Sequence, residues 1–176
     1  LLAVDGVRIE AGTDVEALLS GEPEREVVLV VAGAQAPERT VRLRLTTYAA
    51  VRQGLYEEGL AQARARVGER SQGALGYLHV RSMTWSSFER FEEDLYKVGH
   101  GRDGLVIDVR GHGGGFTCDH LLTCLTQPRH ALTLARGGTE PGYPNDRMVY
   151  APWHKPIVVL IDQDSFSNAE IFAHAI

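Results

Sequence analysis

Apolar and polar residues follow different periods in the two parts of this chain. Before residue 48, short apolar runs are separated by turn residues such as Asp5 and Gly6, which predicts β-strands joined by tight turns. In the last of these runs, apolar positions 41, 43 and 45 alternate with arginines, as in a sheet with one solvent-exposed face. A short helix, with Thr13 or Asp14 as its N-cap, interrupts the series. The predicted strands are residues 1–4, 7–9, 26–32 and 39–45.

From residue 48 to 69, apolar residues at helical spacing predict one long, charged helix. After residue 72, strands alternate with helices, which is typical of an α/β layered domain whose site lies at the strand ends. Ser86 and Glu89 form a capping-box sequence at the start of the first of these helices. We therefore place a domain boundary near residue 70. The predicted strands of this part are residues 75–81, 105–109 and 157–161.

Composition and charge narrow the possible functions. With 44% hydrophobic and 23% charged residues and a net charge of −5, the 176 residues indicate a globular domain. The negative charge argues against nucleic acid or an anionic membrane as the main partner. No apolar run is long enough to cross a bilayer and no signal-peptide pattern occurs, so we expect a cytoplasmic protein. The chain begins at Leu1, without a methionine, and ends at Ile176 within a helical pattern, which leads us to expect a fragment of a longer protein.

The two cysteines give no functional signal. Cys118 and Cys124 lie six residues apart on a predicted helix, which places them on roughly opposite faces. Neither they nor the histidines show the spacing of a zinc site. We expect reduced core cysteines and assign no metal and no cofactor.

The turn before the last helix carries a candidate nucleophile. A buried strand at 157–161 and a helical pattern from 168 place a cluster of serine, asparagine and aspartate on the turn between them. Because the first N–H groups of a helix have no intrahelical partner, Ser167 can lie beside an oxyanion-binding amide. The sequence Ser-Asn-Ala-Glu at 167–170 also fits a helix capping box, which is the more frequent role of a serine in this pattern.

A second loop, Gly-His-Gly-Gly-Gly at 111–115, follows another predicted buried strand. It matches neither the phosphate-binding nor the dinucleotide-binding glycine motif. One interpretation is a tight strand-to-helix turn. The other is an oxyanion hole, in which the N–H of Gly114 or Gly115 and the N–H of Asn168 bind a developing negative charge.

Residues 1–6, the Leu-Leu-x-Gly sequence at 18–21 and two closing strands resemble the second half of a PDZ domain. The later part of the chain contains Gly-Tyr-Leu-His-Val at 76–80, Asp-Val-Arg-x-x-Gly-Gly-Gly-Phe at 108–116, Gly-x-x-x-x-Tyr-Pro at 138–144 and Ser-Phe-Ser-Asn-Ala-Glu-Ile-Phe at 165–172. In this order, these motifs resemble the tricorn-type branch of the C-terminal-processing serine peptidases.

The resemblance implies a serine peptidase that hydrolyses oligopeptides and forms homo-oligomers. It implies a partial PDZ-like domain at 1–47, a linking helix at 48–71 and a crotonase-like α/β catalytic domain at 72–176. By position, Ser167 matches the nucleophile, and Gly114 and Asn168 match the oxyanion donors. Archaeal relatives have aspartate where this chain has Asn168, a change that retains the backbone donor.

The general base is not assigned within this chain. The resemblance places it outside residues 1–176, as a histidine before the PDZ domain in the tricorn branch. Among the local histidines, His79, His112 and His174 are alternatives, and His112 is the first choice because it can line the site from the glycine loop.

Two other functions stay open from the sequence. His-Gly-Gly-Gly at 112–115 is an oxyanion-hole string found in lipases and esterases, although no G-x-S-x-G elbow occurs in the chain. A non-catalytic peptide-binding scaffold is the second alternative.

Overall fold

A computed structural model describes residues 1–34, 36–128, 131–140 and 150–176. The Tyr-Pro pair of the predicted 138–144 motif lies outside the described residues. The described chain divides into two compact units, Leu1–Glu58 and Gly59–Ile176.

The described part of the first unit contains a four-stranded antiparallel sheet and one short helix. In chain order the elements are β1 (Ala3–Val4), β2 (Val7–Arg8), α1 (Val15–Leu19), β3 (Glu26–Val31) and β4 (Arg39–Arg44), and the strand order is β2-β1-β3-β4. Val4 and Val27 are fully buried between these elements. Asp14 caps α1 as predicted, because its carboxylate accepts the N–H of Ala17 at 2.9 Å.

The apolar residues that alternate along β4 are only partly buried. Val41 is half-buried, but Leu43 remains 37% exposed. The apolar face of this strand is therefore covered less well than the sequence pattern indicates.

Helix α2 (Tyr48–Arg70) has the predicted extent, and the two units divide within it. In the second unit, Arg64 of this helix donates to the Asp94 carboxylate at 2.7 Å and to the Tyr77 carbonyl oxygen at 3.3 Å. These bonds attach the later part of α2 to Asp94 and Tyr77 of the second unit.

The second unit is a parallel α/β structure, as the sequence predicts. Within the described residues its strands are β5 (Leu75–His79), β6 (Gly104–Asp108) and β7 (Ile157–Leu160), in the sheet order β5-β6-β7. The helices are α3 (Trp85–Gly99), α4 (Cys118–Thr126) and α5 (Asn168–Ala175). Because the strands are parallel, their carboxyl ends lie at one edge of the sheet, where His79, Asp108 and Leu160 lie in register.

Helix α3 begins earlier than its capping-box sequence predicts. Its N-cap is Thr84, and Ser86 lies within the first turn. The hydroxyl of Ser82 is 2.7 Å from that of Ser87 and 3.2 Å from that of Thr84, so the hydroxyl groups pair with one another. The capping-box prediction at Ser86 was therefore wrong.

The core of the second unit lies between the sheet and its helices. Gly99 ends α3 against Trp153, where an added Cβ would come within 2.6 Å of the indole ring. Cys118 and Cys124 are buried, free thiols, and burial raises the pKa of Cys124 to about 12. The largest fully buried apolar side chains of this unit are Phe172, Leu78, Met83, Leu105, Ile107 and Leu121.

Candidate active site

Two strand-to-helix loops meet at the carboxyl edge of the parallel sheet. The first, residues 109–117, joins β6 to α4, and the second, residues 161–167, joins β7 to α5. Because β6 and β7 are neighbours, the loops leave the sheet side by side. The sequence predicted each loop at a strand end, and the structure brings them together.

Hydrogen bonds join the two loops along their length. The Asp162 carboxylate accepts the N–H of Gly111 at 3.0 Å, and the Ser165 hydroxyl donates to the Val109 carbonyl oxygen at 2.9 Å. Further along, the N–H of Phe166 donates to the His112 carbonyl oxygen at 2.9 Å. The loops therefore form one hydrogen-bonded structure.

Asp162 is the charged member of this junction. Its carboxylate accepts backbone N–H groups from Gly111 and Asp164 and lies 3.2 Å from the Ser165 hydroxyl oxygen. These hydrogen bonds, first of all that from Gly111, hold the pKa of Asp162 below its ordinary value. Sequence reasoning missed this residue, although an aspartate directly after a strand end is a common side-chain-to-backbone turn former.

Ser167 occupies the turn between β7 and α5 in a conformation that is rare for serine. Its φ is 55° and its ψ is −124°, so it lies in the positive-φ region that non-glycine residues seldom adopt. Such a conformation costs on the order of 1–3 kcal/mol and persists where surrounding structure enforces it. The residue is exposed, whereas Ala169, two residues further along the chain, is fully buried in the core.

The predicted capping box at 167–170 is present in geometry but uneven in its hydrogen bonds. The Glu170 carboxylate accepts the Ser167 N–H at 2.8 Å. In return, the Glu170 N–H lies toward the Ser167 side chain, which completes the reciprocal pattern, while the same N–H donates to the Ser167 carbonyl oxygen at 2.9 Å. Glu170 therefore holds the turn through both its carboxylate and its backbone N–H.

Gly114 makes the close approach between the glycine loop and this serine. Its φ is +94°, and an added Cβ would lie 2.7 Å from the Ser167 Cβ and 3.1 Å from the Ser167 Oγ. A larger residue cannot occupy this position without displacing Ser167.

The Gly114 N–H is directed toward the protein interior and not toward the surface, where an oxyanion donor was expected. It donates to Nδ1 of His112 at 2.7 Å, in the interior of the protein. His112 itself is 0% exposed, so the expectation that its side chain lines the site was wrong. The local turn directs the imidazole inward, where it accepts the N–H two residues further along the chain.

The Gly115 N–H has the opposite orientation. Met83 pairs with Gly115 as in a parallel sheet, through hydrogen bonds from the Met83 N–H to the Gly114 carbonyl oxygen and from the Phe116 N–H to the Met83 carbonyl oxygen. Because the N–H and C=O of a trans peptide point in opposite directions, the Gly115 N–H points away from Met83. On that side, the Asn168 side-chain Nδ2 donates to the Gly115 carbonyl oxygen at 2.6 Å. The Gly115 N–H therefore faces the beginning of α5.

An ionic cluster around the buried Asp108 carboxylate fixes the start of the glycine loop. Arg110 donates to the Asp108 carboxylate, with Nη2 at 2.6 Å, and the Tyr77 hydroxyl donates to the same group at 2.6 Å. Burial alone would raise the pKa of Asp108, but these hydrogen bonds outweigh it and hold the pKa below its ordinary value. The cluster keeps the end of β6 in place beneath the loop.

Aromatic side chains border the other end of the loop. The rings of Trp85 and Phe116 are 6.1 Å apart, and those of Trp85 and His120 are 4.7 Å apart. Trp85 is 50% exposed and Phe116 is 60% exposed, so an apolar surface adjoins Gly115. Sequence reasoning did not single out this surface, because the two aromatic residues lie far apart in the chain.

The other two histidines named from the sequence have different positions. His79 ends β5, and its Nε2 is 3.4 Å from the Arg110 carbonyl oxygen. His174 lies in the last turn of α5.

Within the described residues, no group of three or more histidine, cysteine, aspartate or glutamate side chains is placed to hold a metal ion. In the same part of the chain, no helix has the length and apolar character required to cross a membrane.

Comparison with known proteins identifies the family of this chain. The family described as Peptidase family S41 matches residues 74–176, the part that contains both loops. The chain belongs to peptidase family S41. The resemblance to the tricorn branch of this family is confirmed by relatives that match nearly the whole chain.

Two curated relatives illustrate this similarity. Tricorn protease homolog 1 of Streptomyces coelicolor is 33% identical over 177 residues, covering 100% of this chain and 16% of the relative. Tricorn protease of Thermoplasma volcanium is 25% identical over 179 residues, covering 99% of this chain and 16% of the relative. This S41 chain therefore spans 16% of the length of each of these two proteins.

A solved structure shows the same fold. The crystal structure of the tricorn protease aligns with a TM-score of 0.63 at 22% identity, over 99% of this chain and 16% of the solved chain. The similarity extends over both compact units of the S41 chain.

Proposed function

We propose that this S41 chain carries the nucleophile and the oxyanion-binding loop of a serine peptidase that hydrolyses oligopeptides. The observation that carries the proposal is the contact of Gly114 with Ser167, a positive-φ serine at a strand-to-helix turn. Membership of a peptidase family and similarity to proteins named as proteases support the same reaction class.

The chemistry follows from the positions of the groups. The Ser167 Oγ attacks the carbonyl carbon of a peptide bond, and its proton passes to a general base. The oxygen of the tetrahedral intermediate receives hydrogen bonds from the N–H groups of Asn168 and Gly115. Collapse of the intermediate breaks the C–N bond, the amine takes the proton, and water then hydrolyses the acyl-enzyme.

We prefer Gly115 to Gly114 as the first donor. The Gly114 N–H already donates to His112, whereas the orientation of the Gly115 peptide directs its N–H toward α5. Gly115 is also exposed, and Gly114 is buried. In this assignment Gly114 serves as the small residue that lets the loop approach Ser167.

We place the general base outside residues 1–176, as the tricorn resemblance implies. Within the chain, His112 cannot serve, because its Nδ1 accepts the Gly114 N–H and its side chain is fully buried. Serine needs such a partner to react at neutral pH.

The architecture proposed with this function follows the tricorn branch. Residues 1–47 form part of a PDZ-like domain, 48–71 a linking helix and 72–176 part of a crotonase-like catalytic domain. The small antiparallel sheet with its short helix and the parallel α/β unit support these assignments. We further propose that the complete protein is cytoplasmic and homo-oligomeric.

The proposal is tested by labelling the full-length protein with a fluorophosphonate probe and mapping the modified peptide. We expect the label on Ser167, and we expect Ser167→Ala to lose peptide hydrolysis by roughly 10⁴-fold or more with its folded state intact. Ser20→Ala makes the same chemical change on an exposed residue of the first unit and should keep wild-type activity.

Peptide turnover by Ser167→Ala at the wild-type rate would contradict the proposal. Labelling of Ser165 in place of Ser167 would also contradict it. The two serines are distinguished by fragmentation of the labelled peptide.

A further inference from the structure

His112 holds two neighbouring segments of the site at once. Its backbone carbonyl oxygen accepts the N–H of Phe166, in the loop that carries Ser167. Its imidazole Nδ1 accepts the N–H of Gly114, in its own loop, at 2.7 Å. With 0% exposure, the side chain is part of the interior and not of the substrate-facing surface.

The protonation state of the ring is set by this environment. Burial lowers the pKa of His112 below its ordinary value, which favours the neutral imidazole near pH 7. Since Nδ1 accepts a hydrogen bond from Gly114, the ring proton is on Nε2.

The ring interacts with one further backbone group. A hydrogen bond with the Ser82 backbone acts against burial, which remains the larger influence on the pKa of His112. An apolar side chain of similar size could fill the same space, but it could not accept the Gly114 N–H.

This acceptor acts together with the Met83 pairing on the amides of the loop. While the Gly114 N–H is bound inside, the Gly114 carbonyl oxygen accepts the Met83 N–H at 3.1 Å. The peptide between Gly114 and Gly115 is then fixed, with its N–H on the side of α5. If the inner bond were lost, the torsions around Gly114 would be free to change, since glycine adopts many backbone conformations.

We propose that His112 is a positioning residue of the oxyanion-binding loop, whose Nδ1 retains the Gly114 N–H so that the Gly115 N–H faces Ser167. The inference rests on the function proposed above. His112 acts through the loop and does not touch the substrate.

Two substitutions in the full-length protein separate this role from simple packing. In His112→Asn, the side-chain Oδ1 occupies the place of Nδ1 and can accept an N–H two residues further on, as asparagine does in turns. In His112→Leu, most of the buried volume is kept but the acceptor is lost. Asparagine leaves the larger cavity, so packing alone would make the asparagine variant the worse of the two.

If His112 positions the loop, the leucine variant should have the lower kcat of the two. We expect His112→Leu to lower kcat by on the order of 10- to 100-fold with little change in KM, since a misplaced donor stabilises only the transition state. His112→Asn should restore kcat to within about five-fold of wild type, which is a loss of under 1 kcal/mol in transition-state binding. Melting temperatures are measured in parallel, and we expect the leucine variant to be at least as stable as the asparagine variant.

Several results would overturn the inference. A kcat for His112→Leu equal to or above that of His112→Asn would show that the acceptor is not used. If Ser167→Ala remained active, the proposed function itself would fail, whereas an inactive Ser167→Ala with a normal His112→Leu would reject the positioning role alone.

A measurement on the wild-type protein keeps the test valid if either variant fails to fold. Amide hydrogen exchange of the full-length protein should be slower at Gly114 than at Gly115 by about ten-fold or more, because only the Gly114 N–H is bound inside. Equal exchange at the two amides would contradict the geometry from which the inference is drawn.

Discussion

Replacing Gly114 with alanine tests whether the glycine loop and the serine turn act as one site. The added Cβ would lie 2.7 Å from the Ser167 Cβ, whereas carbon atoms in contact prefer about 3.5–4.0 Å. The two segments must therefore separate by about 1 Å. In addition, φ is +94° at this position, which costs a non-glycine residue about 1–3 kcal/mol.

The added Cβ would displace the Ser167 side chain, which carries the proposed nucleophile. A shift of about 1 Å in a catalytic group can lower the rate by about 100-fold, so we expect Gly114→Ala to reduce kcat by roughly that factor. The free energy of unfolding should fall by about 1–3 kcal/mol from the backbone strain. Steady-state peptide hydrolysis and chemical denaturation of the full-length protein measure the two effects.

Gly113 supplies a matched control in the same loop. A Cβ at this position meets no atom within 4 Å, and its φ is not in the positive region. Gly113→Ala should therefore change stability by no more than about 0.5 kcal/mol, and the rate by about two-fold at most. Equal activities for the two alanine variants would refute the reasoning, because they would show that Gly114 does not limit the approach to Ser167.

Two further predictions concern the junction between the loops. The lowered pKa of Asp162 means that its stabilising effect is complete above 3.8, its ordinary value, and is lost as the pH falls through the lower value of the folded state. The melting temperature of Asp162→Asn should thus lie below that of wild type at pH 7 and approach it as the pH falls below 3.8, and a difference independent of pH would contradict this. Glu170→Ala should destabilise the protein by about 1 kcal/mol through loss of the 2.8 Å bond to the Ser167 N–H, whereas Glu170→Gln retains an acceptor. Denaturation midpoints that are equal for these two variants would argue against that bond.

The broad architecture of the second unit followed from local patterns. The apolar residues at 157–160 form β7, and the alternation of strands with helices places both loops at one edge of the sheet. This was predictable because the strands of a parallel sheet are continuously apolar and their ends coincide in space. Ser167 could be selected for the same reason, since its position depends only on where the strand ends and the helix begins. The burial predicted for β7 was wrong, since Val158 is 58% exposed.

The orientation of the glycine loop could not be predicted in this way. Three consecutive glycines have identical local preferences, and the N–H groups of Gly114 and Gly115 differ only through Met83, His112 and Asn168. The partner at Met83 lies in a different segment of the chain, after β5. The inward orientation of His112 depends on the same packing, and for this reason the sequence favoured a residue that lines the site.

The beginning of α3 shows a smaller limit of the same kind. The sequence at 86–89 fits a capping box as well as the sequence at 167–170 does, but only the second is realised. At 82–87 several hydroxyl groups compete for partners, and they pair with one another. Local patterns identify residues that are able to cap a helix, whereas the surrounding hydroxyl groups determine whether they do so.

The two tryptophans of this chain give it a built-in optical signal. Trp153 is buried against Gly99, and Trp85 is half-exposed beside Phe116, the residue that follows Gly115. Their indoles therefore differ in contact with solvent, so that Trp153 emission follows the integrity of the core while Trp85 emission follows events at the end of the glycine loop. A Trp153→Phe protein would retain Trp85 as the fluorophore of this segment, and peptide arrival beside Ser167 could then be followed in real time without a chromogenic substrate.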